Sequence, residues 1–83
     1  MNLLAQDPNS LASHSIQKSI NDLINCYHLN DFEKTIKFSF DLLSKNIEMP
    51  IIYSLLGLSL YHNGLKKDAI KVFETGISKN FND

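Results

Sequence analysis

The sequence repeats itself at an interval of 34 residues, and this periodicity is the strongest constraint on its fold. When the chain is aligned with itself at that offset, several residues are paired with an identical residue and others with a residue of similar character. The matching pairs are Tyr27 with Tyr61, His28 with His62, Ile36 with Ile70, Lys37 with Lys71, Ile24 with Leu58, Phe38 with Val72, Leu43 with Ile77, Ile47 with Phe81, and residues 44–46 with residues 78–80. A fixed period of this length is typical of stacked repeats. We therefore predict two copies of one unit, at about residues 16–49 and 50–83.

The second copy is predicted to be two helices joined by a tight turn. Residues 53–62 are rich in leucine, Asn63-Gly64 interrupts the pattern, and apolar residues then recur at helical spacing. These later residues are Leu65, Ala69, Ile70, Phe73 and Ile77. Gly64 can adopt a left-handed backbone without steric cost, so we expect it to end the first helix of the pair.

The first copy carries a related pattern. Its first helix is predicted from apolar residues that fall on one face: Ile16, Ile20, Leu23, Ile24 and Tyr27. Asp31 is expected to cap a second helix, which should end near Lys45, where a cation suits the helix C-terminus. Pro50 should open the third helix, because proline's missing N–H costs little at the first helical position.

Residues 1–15 lack this periodicity and are predicted to form an N-terminal tail. Residues 7–10 read Asp-Pro-Asn-Ser, a composition that favours turns. Leu3 and Leu4 could dock on the body of the protein, but chain ends are usually loose unless they are tied down, so we expect a mobile tail. Residues 16–83 should then form a single domain.

Composition narrows the range of functions. The formal net charge is −1 and all eight basic residues are lysine, which argues against nucleic acid as a partner because arginine forks and a basic surface are both missing. Cys26 is the only cysteine, so no intramolecular disulfide can form and a reducing compartment is favoured. No stretch resembles a signal peptide or a membrane span. We expect a soluble, cytoplasmic protein without a membrane partner.

The second copy resembles the tetratricopeptide repeat family. Leu56-Gly57 matches the leucine-glycine pair of that pattern, Ala69 its small residue and Phe73 the aromatic residue that follows. Tyr53 stands in the slot usually held by tryptophan, Leu60 in a tyrosine slot, Gly76 in place of a later alanine and Phe81 in place of the closing proline. The first copy departs from the pattern at Asp22-Leu23, Thr35 and Ser39. We therefore expect its packing to be less tight, and a different αα-hairpin family is an alternative for this copy.

The resemblance implies an all-α fold in which antiparallel helix-turn-helix repeats stack as a short right-handed α-solenoid. In that family the first helices of successive repeats line a concave groove that binds extended or helical peptides. The corresponding residues are Gln17, Ile20, Ile24, Tyr27 and His28 in the first copy and Ile51, Ser54, Leu58, Tyr61 and His62 in the second. The alternative is that both tyrosines pack between layers while the histidines are solvated.

Other chemistries are not expected. Some family members clamp a carboxylate with asparagine and arginine in the groove, but here Ile24 and Leu58 hold the asparagine slots and arginine is missing. His28 and His62 should lie roughly 10 Å apart at the backbone, with no third ligand at a useful spacing, so no metal is expected. Cys26 is expected on the buried side of its helix, two residues from His28, where the side chains diverge. No catalytic residue and no cofactor are predicted.

The last helix carries more apolar residues than one neighbouring helix can cover. We predict that Leu65, Ala69, Ile70, Val72, Phe73 and Ile77 form an end-face interface. Stacked repeats usually need about three units before they are stable alone, because each layer buries its apolar face only against its neighbours. Something should therefore cover this end.

Three hypotheses for function stay open at this stage. The chain is an interaction module that docks on a protein partner as a hetero-oligomer, or on a second copy of itself as a homodimer, through the groove or the end face. Alternatively, it is a small tetratricopeptide-type chaperone of a secretion-type partner. The third possibility is an N-terminal piece of a larger bacterial protein whose glycosyltransferase or sulfotransferase chemistry lies downstream.

Overall fold

The fold consists of four helices in the part of the chain that the structure describes. The structure is a computed structural model that describes the backbone of residues 8–81 and the side chains of residues 15–81. Its helices are α1 (Pro8–His28), α2 (Phe32–Ser44), α3 (Pro50–His62) and α4 (Lys66–Ser78), and no strand occurs within residues 8–81. Each helix packs on the next in sequence, and α1 also packs on α3. The predicted all-α fold of consecutively packed helices is confirmed.

The helix boundaries follow the local chemistry that the sequence predicts. Asp31 caps α2, and its side chain accepts a hydrogen bond from the backbone N–H of Lys34 at 3.2 Å. Pro50 occupies the first turn of α3. Gly64 has a φ of +82°, the left-handed conformation expected after α3. These three predictions are confirmed.

Helix α1 begins earlier than the apolar pattern does. Its first residue is Pro8, so residues 8–15 of the predicted tail are helical, and the turn expected around Pro8 is instead a helix start. Proline favours this position because its fixed φ suits the first helical residue. Residues 1–7, which include Leu3 and Leu4, lie outside the described residues.

The 34-residue period recurs in the backbone of both hairpins. The left-handed residues are Asn30 and Gly64, which follow the first helix of each hairpin, and Asn46 and Asn80, which follow the second. Each pair is separated by 34 positions. The turn hydrogen bonds also correspond: Asp31 N–H donates to Cys26 at 3.1 Å, and Leu65 N–H donates to Leu60 at 2.9 Å. The two copies therefore share one backbone geometry in their turns.

The core lies around α3, which is buried over most of its surface. One cluster joins the two hairpins and contains Ile20, Leu23, Leu42, Ile52 and Leu55. A second cluster lies between α3 and α4 and contains Leu56, Leu60 and Ala69. Because α3 contributes to both clusters, it links the first hairpin to the second.

Large and small residues have changed places between the two hairpins. Gly57 of α3 lies against the ring of Phe73 in α4, and a Cβ atom added to Gly57 would overlap the carbon atoms of that ring. The corresponding residues of the first hairpin are Leu23 and Ser39, both fully buried. The first hairpin therefore has the large residue on its first helix and the small residue on its second, and neither side chain is exposed. A close approach of this kind needs a small residue on one of the two helices.

Candidate functional site

An open cleft of about 620 Å³ lies between α3 and α4 at the C-terminal end of the described chain. It is lined by Pro50, Tyr53, Ser54, Phe73, Gly76, Ile77, Asn80 and Phe81. We call this the end cleft. Most of these residues are apolar or small, and none carries a formal charge at neutral pH. Its volume is within the range of about 300–1,000 Å³ that is common for binding sites.

The end cleft corresponds to a surface that is already occupied in the first hairpin. The positions 34 residues earlier are Ile16, Ser19, Ile20, Ser39, Leu42, Leu43, Asn46 and Ile47. Ile20 and Leu42 belong to the core cluster that also contains Ile52 and Leu55 of α3. Ile16, Leu43 and Ile47 pack against the same cluster. In the first hairpin, therefore, this surface is covered by α3.

Equivalent side chains differ in exposure as a result. Leu43 is half-buried, whereas its counterpart Ile77 is 80 % exposed. Ile36 is likewise half-buried, and its counterpart Ile70 is 49 % exposed. The second hairpin thus leaves open an apolar surface that the first hairpin buries against the following helix.

The structure divides the six predicted end-face residues into four groups. Phe73 and Ile77 line the end cleft, while Leu65 and Ile70 are exposed on or beside α4. Ala69 is only 1 % exposed and belongs to the core, so it is not available to a partner. Val72 is half-buried against the second core cluster. Five lining residues were missed, although the 34-residue shift relates most of them to the packed surface of the first hairpin: Pro50, Tyr53, Gly76, Asn80 and Phe81.

The predicted groove residues do not form one continuous surface. Ile20 is 5 % exposed and lies in the core, which corrects its assignment to a groove. Ile24 and Tyr27 are half-buried against the same core cluster. The exposed members are Gln17, His28, Ser54, Leu58, Tyr61 and His62, and of these Ser54 lines the end cleft instead.

An aromatic cluster occupies one edge of the predicted groove. The ring of His62 stacks on that of Phe32, with ring centroids 4.4 Å apart and planes 9° from parallel. Tyr27 lies edge-on to Phe32 at 5.7 Å and tilted to His62 at 6.3 Å. This contact joins the end of α3 to the start of α2, so His62 contributes to packing between the hairpins. Phe32 was not predicted as a partner of the histidine.

A polar network holds one wall of the end cleft. The Tyr53 hydroxyl donates a hydrogen bond to Glu48 Oε1 at 2.8 Å, and Lys79 Nζ lies 2.9 Å from the same oxygen. Glu48 precedes α3 and Lys79 follows α4, so the network ties the start of one helix to the end of the other. The hydrogen bond from Lys79 lowers the pKa of Glu48, and burial raises the pKa of Tyr53.

The lowered pKa of Glu48 predicts a weak acid sensitivity. A carboxyl group whose pKa is lower in the folded state adds stability above its ordinary value of 4.5, and that stability is lost as pH falls through the lowered value. The test measures Tm at a series of pH values from about pH 7 to about pH 3. Over this range, Tm should decrease less for Glu48→Gln than for the unaltered chain. The effect should be small because the pair is solvent-exposed.

Asp41→Asn is the matched control for this measurement. Asp41 forms an ion pair with Lys45 within one helix turn, at 3.1 Å, and does not join two helices. An identical pH response for Glu48→Gln and the unaltered chain would show that ionisation of Glu48 contributes nothing to stability.

Comparison with known proteins does not assign the chain to a family. No protein-family model, curated protein or solved structure matches the chain. Within the described residues, no helix has the length and apolar character needed to cross a membrane, and no three metal-binding side chains come together.

Proposed function

We propose that this chain is a non-catalytic protein-interaction module of the tetratricopeptide type, and that it binds a helix of a partner protein in the end cleft. The observation that carries the proposal is the correspondence between the end cleft and the surface of the first hairpin that receives α3. A surface built to the same plan is suited to the same kind of occupant. That occupant is an amphipathic helix of roughly the length of α3, which has 13 residues.

Two features support membership of the tetratricopeptide class. The 34-residue period extends from the sequence to the left-handed residues and turn hydrogen bonds. Gly57 and Phe73, two residues of the family pattern, are in direct contact across the second hairpin. The pattern residues thus have the close-packing role that their sizes require. A cytoplasmic location is part of the same proposal, since Cys26 is a lone, buried thiol.

The exposed apolar surface supplies a driving force for docking. Ile70, Ile77 and Phe81 are all substantially exposed at this end of the molecule. At about 25 cal/mol per Å², covering even ~200 Å² of apolar surface contributes about 5 kcal/mol before the costs of association are subtracted. That amount is comparable to the whole stability of a small domain, so docking should also stabilise the fold.

The opposite end of the molecule argues for a foreign helix and against head-to-tail stacking of copies. The residues of α1 that correspond to Ile51, Ile52 and Leu55 are Gln17, Lys18 and Asn21, and all three are exposed. Gln17 donates a hydrogen bond to Asn21 at 3.1 Å, and Lys18 pairs with Asp22 at 3.1 Å. This polar face cannot fill an apolar cleft without burying charge. A second copy therefore cannot present α1 in the way that α3 is presented.

Site-specific crosslinking tests the proposal. A photo-crosslinking amino acid replaces Ile77 in the full chain, expressed in its native cell, and a second variant carries it at Leu58 on the predicted groove side. The proposal expects a protein captured through position 77. That protein, once purified, should bind the unaltered chain in calorimetry and should not bind Ile77→Lys.

Two results would overturn this assignment. Capture through position 58 alone, by a protein whose binding is unaffected by Ile77→Lys, would place recognition on the groove side. Crosslinking of position 77 only to another copy, together with a dimer in light scattering that Ile77→Lys dissociates, would make the end cleft a self-association surface.

A further inference from the structure

We infer that the helix accommodated by the end cleft anchors itself with a neutral aromatic side chain, phenylalanine or tryptophan. This inference rests on the proposed function and specifies its ligand. The evidence is how the lining changes between the two hairpins. Tyr53, Phe73 and Phe81 line the end cleft, and their counterparts in the first hairpin are Ser19, Ser39 and Ile47. The covered surface has no aromatic residue at the eight corresponding positions, whereas the open one has three, of which Tyr53 is buried and Phe73 and Phe81 are partly exposed.

The aromatic rings are arranged so that another ring can join them. Tyr53 and Phe81 lie with their centroids 5.9 Å apart and their planes inclined by 45°. Aromatic pairs favour tilted or edge-to-face contacts at centroid separations of about 4.5–7 Å. A ring inserted beside Phe73 and Phe81 can make such contacts, and an aliphatic side chain cannot.

A smaller residue makes room for the anchor. Ser54 is exposed and lines the end cleft where the first hairpin has Ile20. Ile20 belongs to the cluster that also contains Ile52 and Leu55 of α3. Because a hydroxymethyl group replaces this aliphatic side chain, an incoming helix needs a larger side chain to fill the same layer, since interiors are close-packed. Gly76 adds no such space, because the Tyr53 side chain lies against it and a Cβ atom there would be 2.9 Å from that of Tyr53.

The charge around the end cleft favours a neutral anchor. None of the eight lining residues is charged at neutral pH, and the nearby charges of Glu48 and Lys79 are paired at 2.9 Å. An anchoring lysine, arginine or carboxylate would lose its hydration without gaining a partner ion. Binding should therefore depend on apolar contact and respond weakly to salt.

A peptide series with a single variable anchor tests the inference on the full chain. The probe is a fluorescein-labelled, 13-residue helical peptide of lysine, glutamate and alanine with leucines on one face. One central leucine position is varied as Phe, Trp, Leu, Ala or Lys. Dissociation constants come from fluorescence anisotropy at about 50 mM and about 500 mM salt.

The expected order of affinity is Trp or Phe first, then Leu, Ala and Lys. The aromatic peptides should bind about 3–10-fold more tightly than the leucine peptide, and salt should change the constants by less than about twofold. Ser54→Ile restores the aliphatic residue of the first hairpin at an exposed position, so it should reduce or reverse the preference for the aromatic peptides. Ile77→Lys should abolish binding of every peptide, and Leu58→Lys is the matched control that should leave it unchanged.

The outcomes separate this inference from the proposed function. Equal affinities for the leucine and phenylalanine peptides, both lost in Ile77→Lys, would overturn the aromatic anchor and leave helix docking in place. Tightest binding by the lysine peptide, or a steep loss of affinity with salt, would also overturn it. Failure of every peptide to bind would count against both. Circular dichroism of each variant shows that a loss of binding does not reflect unfolding.

Discussion

Gly57→Leu is expected to lower the free energy of unfolding by about 1–3 kcal/mol, and by more if the hairpin cannot relax. The ring of Phe73 fills the space above Gly57, so that even a Cβ atom there would overlap the ring. A leucine there must displace the ring or separate α3 from α4. Urea unfolding followed by circular dichroism measures the loss. Ser54→Leu, which adds the same side chain at an exposed position of α3, is the control and should change stability little.

The reciprocal double variant makes this prediction specific to the repeat. Gly57→Leu combined with Phe73→Ser reproduces the Leu23 and Ser39 pair of the first hairpin, in which both residues are fully buried. The double variant should be more stable than the sum of the two single changes predicts, by an interaction energy of at least about 1 kcal/mol. Additive losses would contradict the correspondence between the two hairpins at these positions.

Ile52→Ala is expected to cost about 2–5 kcal/mol, because it empties a fully buried site between the hairpins. Ile52 is 0 % exposed and belongs to the core cluster that also contains Leu23 and Leu42. In stacked repeats the contact between neighbouring units supplies much of the stability, so a cavity there should weaken both hairpins. The midpoint and slope of urea unfolding measure this effect.

Ile77→Ala is the matched control for that cavity. It removes the same atoms from a side chain that is 80 % exposed, and it should change the free energy of unfolding by less than about 0.5 kcal/mol. Equal losses for the two variants would mean that Ile77 is covered in solution. In that case the end cleft would not be free in the purified chain.

The helix boundaries could be predicted because each depends on one or two neighbouring residues. Asp31, Pro50 and Gly64 act through their own side chains or backbone preferences, whatever packs around them. The start of α1 at Pro8 was missed because residues 8–15 lack apolar periodicity, although proline is compatible with a first helical turn.

Burial was harder to predict than helix position. Ile20 and Ser54 occupy the same place in their repeats, yet Ile20 is in the core and Ser54 is exposed. The difference depends on whether another helix covers that face, which the period alone does not specify. The stacking of His62 on Phe32 could not be predicted either, because the two residues belong to different hairpins and the period does not specify how the hairpins pack.

The 34-residue shift relates the residues of the end cleft to those of the first hairpin, although it does not give their exposure. The shift identifies Ile77 with Leu43, and Leu43 packs between the hairpins. A residue that is apolar in both copies, and covered in only one of them, marks a surface prepared for another helix. The sequence prediction instead used the apolar stripe of α4, which mixes Ala69, a core residue, with the exposed Ile70 and Ile77.

The most direct test of the helix-docking claim is the backbone amide NMR spectrum of the full chain, recorded with and without the phenylalanine-anchored peptide. Helix docking predicts chemical-shift changes concentrated at Tyr53, Gly76, Ile77 and Phe81, with little change at Leu58 and Tyr61. Changes centred on Leu58 and Tyr61 would contradict it and would place the binding surface in the groove between α1 and α3.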